Sequence, residues 1–187
     1  MSVEHKDATP GTAVVLEERL DQLFARVAAD VHEDGLPSAQ VAVGHAGTLA
    51  AVQTFGEANQ GGVRRPATNA TLYSLFSATK AIVGTATWAL CEDGLLRIEE
   101  RVADIIPEFR TNGKEIVTVE QVMLHIAGFP LAPFQSGDWD NRERRLQRFA
   151  QWRLMWEPGS RYEYHATAAH WVLAEIIERR AGQDFRQ

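Results

Sequence analysis

Leu72-Tyr73-Ser74-Leu75-Phe76-Ser77-Ala78-Thr79-Lys80, continued by Ala81-Ile82-Val83-Gly84-Thr85-Ala86-Thr87-Trp88-Ala89-Leu90-Cys91, is the stretch on which the reading of this chain turns. From Pro66 to Cys91 a single residue is charged, Lys80. From Ser77 onward the positions are apolar or small on every face, the pattern of a helix buried all round, and Gly94 marks its end. Ser77 and Lys80 stand three apart, so on a helix they share a face and the amine can reach the hydroxyl. A serine hydroxyl needs such a base to become a nucleophile, and a lysine among apolar neighbours loses solvation of its charged form, which favours proton acceptance. At a helix start the dipole favours developing negative charge, and the Ser77 backbone N–H becomes a candidate oxyanion donor. The competing reading is a lysine that snorkels its amine to the surface. As the only charge in the stretch, placed at a helix start, the pair favours chemistry.

Outward from this helix the chain alternates short elements. Val14, Val15, Leu20, Leu23, Phe24, Val27 and Val31 recur at three- and four-residue steps against Glu17, Glu18, Arg19, Asp21 and Arg26, which predicts an amphipathic helix over about 13–33. Two strands follow, Ser38–Gly44 and Thr48–Phe55, with Gly47 in the turn. Gly56 to Asn69 is rich in Gly, Asn and Pro and reads as a loop. Beyond the central helix come an acidic-apolar run, Glu99–Phe109, a short helix over Val117–Leu124, and a charged stretch, Asp138–Arg148. A final helix spans Ala168–Arg180, with Trp171, Val172, Leu173, Ile176 and Ile177 on one side. Arg142, Arg144, Arg145 and Arg148, interleaved with Asp140 and Glu143, read as a solvated helix face.

Composition removes several classes of function. With 187 residues the chain is long enough for one domain with a sizeable core. Nineteen basic against 25 acidic side chains leave a net charge of −6, which disfavours nucleic acid as a partner. No window approaches the roughly 18 consecutive apolar residues of a membrane helix. The single cysteine, Cys91, allows no intrachain disulfide and lies late in the apolar helix, where thiols are usually inert packing. Together with a start, Met1–Gly11, that lacks a basic and then apolar leader, it predicts a cytoplasmic protein with no membrane partner. No zinc-site, Walker-loop, dinucleotide or Gly-x-Ser-x-Gly pattern occurs, so neither metal nor cofactor is expected.

The run Leu72–Lys80, followed by Cys91-Glu92-Asp93-Gly94-Leu95-Leu96, resembles the serine β-lactamase and penicillin-binding-protein-like hydrolases, in the branch of class C β-lactamases, DD-peptidases and related esterases. Three further segments carry the likeness: the two strands within Gly35–Ala58, Val117–Gly128 with His125, and Trp156-Glu157-Pro158-Gly159-Ser160 followed by Tyr162-Glu163-Tyr164. The resemblance implies an α+β fold, an α/β sandwich with a helical subdomain. It implies Ser77 as acylated nucleophile, Lys80 as its base, and Tyr164 as the phenol that shares proton transfer and assists the leaving group. His125 matches a position that holds a turn, and His170 reads as structural. Over residues 1–187 it implies the N-terminal part of one such domain, with a helix and the first two sheet strands at about 13–57 and a mostly helical subdomain at about 66–187.

Departures from the family pattern sharpen the substrate. Ala166 stands where an asparagine is usual, with His165 between it and the tyrosine, and the stretch to the next helix is one residue longer. The missing amide disfavours β-lactams and favours an ester or related small-molecule acyl substrate. His165 is a candidate polar contact to it, and Phe134, Trp139 and Trp152 are candidates for an acyl pocket, against the alternative of core packing. The family's third motif, which supplies the second oxyanion donor, has no counterpart before Gln187. The C-terminal strands of the sheet are therefore expected to be lacking, and the chain to pack against the remainder of the same domain or another copy of itself. The alternative reading is a non-catalytic family member, an inactive partial chain, or a β-lactamase or DD-peptidase.

Overall fold

The computed structural model describes residues 15–33, 35–135 and 137–186. The chain divides into two compact units, one ending at Ser74 and the other beginning at Leu75. The first holds helix α1 (Glu17–Glu33) and strands β1 (Ser38–His45), β2 (Thr48–Gln60) and β3 (Val63–Pro66). The amphipathic spacing is thus observed as α1, whose apolar face packs on the sheet, with Phe24 and Phe55 at 6.2 Å between ring centroids. Residues 13 and 14 of the expected helix lie outside the described residues.

The strands form one antiparallel sheet in the order β1-β2-β3. Ser38 faces Gly56 and His45 faces Thr48, with a register shift after Val43. Two features correct the expectation of two strands and a loop over Gly56–Asn69: β2 runs on to Gln60, and β3 pairs back on it with Gln60 opposite Val63. The turn between them is Gly61-Gly62, with φ of 61° and 87°. Two consecutive positive φ values make the two-residue hairpin turn whose twist matches the strands, and glycine adopts them without a Cβ penalty. The Asn59 side chain accepts from the Gly62 N–H and fixes the turn.

The second unit holds a 3₁₀ turn at Phe76–Ala78, α2 (Thr79–Glu92), α3 (Val102–Ile105), α4 (Val119–Met123), α5 (Arg142–Gln151) and α6 (Ala168–Ala181), with 3₁₀ turns at Pro107–Phe109 and Lys114–Ile116. Helix α4 starts at a capping box, in which Thr118 and Gln121 each bond the other's backbone N–H. Phe109, Phe129 and Phe149, all with no exposed surface, meet edge-to-face at 5.4 and 6.2 Å, and Val102, Ile106, Val122, Val172 and Ile176 close around them. Lys114 is buried in the same core. Its Nζ donates to the Thr111 carbonyl at 2.7 Å, the Thr111 hydroxyl at 2.9 Å and the Trp152 carbonyl at 2.6 Å, and burial lowers its pKa to about 8.

Two expectations change here. Helix α2 is not buried all round: only Thr87 and Leu90 are, while Ile82 is 58% and Trp88 55% exposed. Its inner stripe packs on α6, and its outer stripe carries equally apolar residues without cover from this unit, so composition reported both faces as core. The arginines of α5 form a solvated face only in part: Arg142 and Arg144 are exposed, but the others turn inward or pair with acids. Arg145 is 4% exposed, Arg142 pairs with buried Glu175 and with Glu178, and Arg148 pairs with Asp138.

Candidate active site

Ser77 sits in the 3₁₀ turn that leads into α2, one turn ahead of Lys80. Phe76, immediately before it, has a φ of 45°, in the left-handed region that residues with a Cβ enter at a cost. The kink leaves the Ser77 side chain exposed at the helix entrance. Lys80 Nζ lies 3.3 Å from Ser77 Oγ. Across from both, Tyr164 donates its hydroxyl to Ser77 Oγ at 2.9 Å, and Lys80 Nζ stands 5.1 Å from the centre of the Tyr164 ring. The hydrogen bond to Ser77, the Lys80 amine within bonding reach, and its positive charge hold the Tyr164 phenol below its ordinary pKa. Residues 87 positions apart in sequence therefore converge on one hydroxyl.

The loop carrying Tyr164 is stitched to the segment after α4. Met155 and Gly159 donate backbone N–H groups to the Gly128 and Ile126 carbonyls, and Glu163 donates to the His125 carbonyl. Gly128 has a φ of 88°, and a Cβ there would stand 2.6 Å from the Trp156 carbonyl oxygen, so the close approach of the two segments requires glycine. His125, with φ of 59°, accepts the His165 N–H on Nδ1 at 3.1 Å and lays its ring 5.0 Å from that of Tyr164.

His165 is completely buried rather than facing the cleft. Its Nδ1–H donates to the Glu163 carbonyl at 2.6 Å and its Nε2 accepts the Phe129 N–H at 3.1 Å, which fixes the neutral tautomer. Burial lowers its pKa. It is an internal strut of the tyrosine loop, because both ring nitrogens are spent on backbone, and this replaces the expectation of a substrate contact.

The three aromatic candidates also lie elsewhere. Trp152 is 3% exposed, stacks on Phe129 at 5.8 Å and donates its indole N–H to the Pro133 carbonyl. Phe134 packs edge-on to it at 5.0 Å, and Trp139 packs on Phe134 at 6.3 Å. Trp152 lines a separate hollow with Leu131, Pro133 and Gln151. Core packing accounts for Phe134 and Trp152, and Trp139 caps the outside of that cluster.

The cleft beside Lys80 has other walls. A cavity of about 280 Å³ is lined by Phe76 and Lys80, by Ala166, His170 and Trp171, and by Phe185. His170 had read as structural; it faces Lys80, and burial together with the charge of Lys80 lowers its pKa to about 4, so its imidazole is neutral over the ordinary pH range. The spacing 166, 170, 171, 174 is a helical stripe that the sequence displays, but its apolar residues are indistinguishable from a core face until α2 is seen opposite. Cys91 is half-buried, and burial raises its thiol pKa, which makes it a poor nucleophile.

The family model described as Beta-lactamase matches residues 20–187. The chain is 33% identical over 116 residues to the esterase/beta-lactamase LipL of Mycobacterium tuberculosis, covering 60% of this chain and 26% of that protein. It is 29% identical to the esterase EstB of Burkholderia gladioli over 91% of this chain and 47% of the relative. The crystal structure of a family VIII carboxylesterase superposes with a TM-score of 0.81 at 26% identity, over 91% of this chain and 46% of the other. The chain thus spans half or less of the length of these relatives. The fold is that of the serine β-lactamases, as far as the chain extends. No helix among the described residues is long and apolar enough to cross a membrane.

Proposed function

Because this chain belongs to the Beta-lactamase family over residues 20–187, we propose that it carries the nucleophilic half of a serine hydrolase that works through an acyl-enzyme on an ester or related acyl substrate. The observation that carries the reading is the double approach to one hydroxyl, Lys80 Nζ at 3.3 Å and Tyr164 OH at 2.9 Å from Ser77 Oγ. In the proposed reaction the Ser77 proton passes to the Lys80 amine as Oγ forms its bond to the substrate carbonyl carbon. The carbonyl oxygen becomes an oxyanion, which the Ser77 backbone N–H stabilises at the entrance of α2. When the tetrahedral intermediate collapses, the bond to the alcohol breaks and the departing alkoxide takes its proton from Tyr164, which recovers one from the Lys80 ammonium. Water then attacks the acyl-enzyme by the same route in reverse, releasing the acid and restoring Ser77.

Esters are favoured over β-lactams because Ala166 offers no side-chain amide to a substrate beside Ser77. A second oxyanion donor, and cover for Ile82 and Trp88 on the outer stripe of α2, are proposed to come from the remainder of the same domain or from another copy of the chain. The compartment is proposed to be the cytoplasm. A fluorophosphonate probe tests the reading: labelling of the wild-type chain, abolished in Ser77→Ala and reduced at least a hundredfold in rate in Lys80→Ala, supports it. A wild-type chain that takes no label, or one labelled equally in Ser77→Ala, overturns it in favour of a non-catalytic role.

A further inference from the structure

The cavity beside Lys80 is a trough with two banks and a direction. Phe76, Lys80 and Val83 follow one another at four- and three-residue steps along α2 and its leading turn, and Ala166, His170 and Ala174 follow at four-residue steps into and along α6, with Trp171 beside His170. Each bank extends about two helical turns, ~10 Å at 1.5 Å per residue. Phe185 adds the remaining wall, edge-on to Trp171 at 5.7 Å. Its position is fixed: the guanidinium of Arg145, 4% exposed, lies 5.3 Å from the Trp171 ring and 5.7 Å from that of Phe185. It also donates to the Trp139 carbonyl at 2.7 Å. At the other end the trough reaches the reacting hydroxyl, since Phe76 and Lys80 flank Ser77 in sequence and Lys80 is bonded to it.

We infer that this trough is the binding site for the apolar acyl chain of the substrate, with Ala166 and Ala174 setting how long a chain it accepts. The inference rests on the hydrolase reading above and adds to it a ligand class and a location. The direction follows from Tyr164. Its hydroxyl is the group that meets the leaving oxygen, it is bonded to Ser77, and it is not among the residues that line the trough. The alcohol therefore departs on the open side of Tyr164, whose residue is 44% exposed, and the acyl chain is left the side lined by Ala166. A larger side chain at 166 would stand in the mouth; alanine keeps it open and apolar. The walls are alkyl and aromatic apart from Thr79, Thr167, Lys80 and the neutral His170, which suits an uncharged, unbranched or aryl acyl group.

The test is a chain-length series on the protein, with kcat/KM measured for p-nitrophenyl acetate, butanoate and hexanoate. Each added methylene buried in the trough is expected to raise kcat/KM roughly threefold to fourfold. A parallel series of phenyl, 4-ethylphenyl and 4-butylphenyl acetates is expected to stay within threefold. Ala174→Phe should cut the hexanoate-to-acetate ratio at least tenfold, and Phe185→Ala, which opens the trough instead of filling it, should extend the rise to longer chains. Binding of methyl hexanoate to Ser77→Ala, followed by NMR shifts at the Trp171 indole and His170 imidazole, reads the trough without turnover. Turnover with a flat acyl series and no shift at Trp171 overturns the trough alone. Shifts at Trp171 without turnover of any ester keep the trough and overturn the hydrolase reading. Neither turnover nor shifts overturns both.

Discussion

Around Ser77 three side chains meet, Ser77, Lys80 and Tyr164, with the imidazoles of three histidines nearby. His125, His165 and His170 are all held below the ordinary histidine pKa, with burial the largest cause in each case. The Lys80 charge adds to it for His125 and His170, and His170 Nδ1 is buried without a hydrogen-bond partner. A protonated His170 would place a second cation near Lys80 and against His125, so the fold disfavours a second proton on its ring. The consequence for stability has a definite sign. Above pH 6.5 His170 is neutral in folded and unfolded chains alike. As the pH falls from 6.5 to about 4 the unfolded chain takes up a proton that the folded chain refuses. Stability is therefore full above 6.5 and is lost toward 4, by up to about 3 kcal/mol for this one group. Urea unfolding of His170→Leu at pH 7 and pH 4.5 should show a smaller acid loss than the wild type. An equal loss in both would place the acid sensitivity elsewhere.

Among the elements, α5 and α6 are joined by charge as much as by apolar contact. Glu175, 1% exposed, receives the Arg142 guanidinium at 2.6 and 3.2 Å and Arg179 Nε at 2.7 Å. Arg179 also reaches the Ile105 carbonyl at 3.1 Å and Glu108 at 3.0 Å, tying α3 and the turn after it to the same carboxylate. Removing one partner of such a buried cluster leaves the others desolvated and unpaired, so Glu175→Ala should cost about 3–5 kcal/mol. The midpoint of urea denaturation measures it, and a loss under 1 kcal/mol would show that water replaces the carboxylate. This network was invisible in sequence for a physical reason: Arg142 and Glu175 are 33 residues apart, and alternating charge along α5 looks the same whether it faces solvent or a buried acid. By contrast, the 3.6-residue period of α1, the limits of α6 and the Ser77–Lys80 spacing were legible, because each is a local pattern with one physical meaning. The Tyr164 partnership was legible through the family resemblance. The third strand was missed because its glycines, read as loop, are the turn itself, and the acyl trough because its stripe on α6 needs α2 opposite to become a pocket.

Across the whole chain, burial is unevenly distributed between the units. Among the described residues up to Ser74 none is fully buried, while all the described buried residues belong to the unit from Leu75 onward. Local opening energies follow buried apolar contact and protected backbone hydrogen bonds. Amides of α6 and of the Val102–Phe109 segment should therefore exchange last, near the global unfolding limit, and those of α1 and β3 first. The outer stripe of α2 separates two explanations of the exposed apolar side chains. If Ile82 and Trp88 face solvent in the chain by itself, Ile82→Asp and Trp88→Asp change its stability by no more than about 0.5 kcal/mol, as exposed sites do. If another copy covers them, the same substitutions cost more than about 2 kcal/mol, and the cost grows with protein concentration because dissociation precedes unfolding. Hydrogen exchange over Thr79–Glu92 at two concentrations distinguishes them without a mutation: protection independent of concentration assigns the stripe to solvent in this chain, and protection that rises with concentration assigns it to an interface between copies.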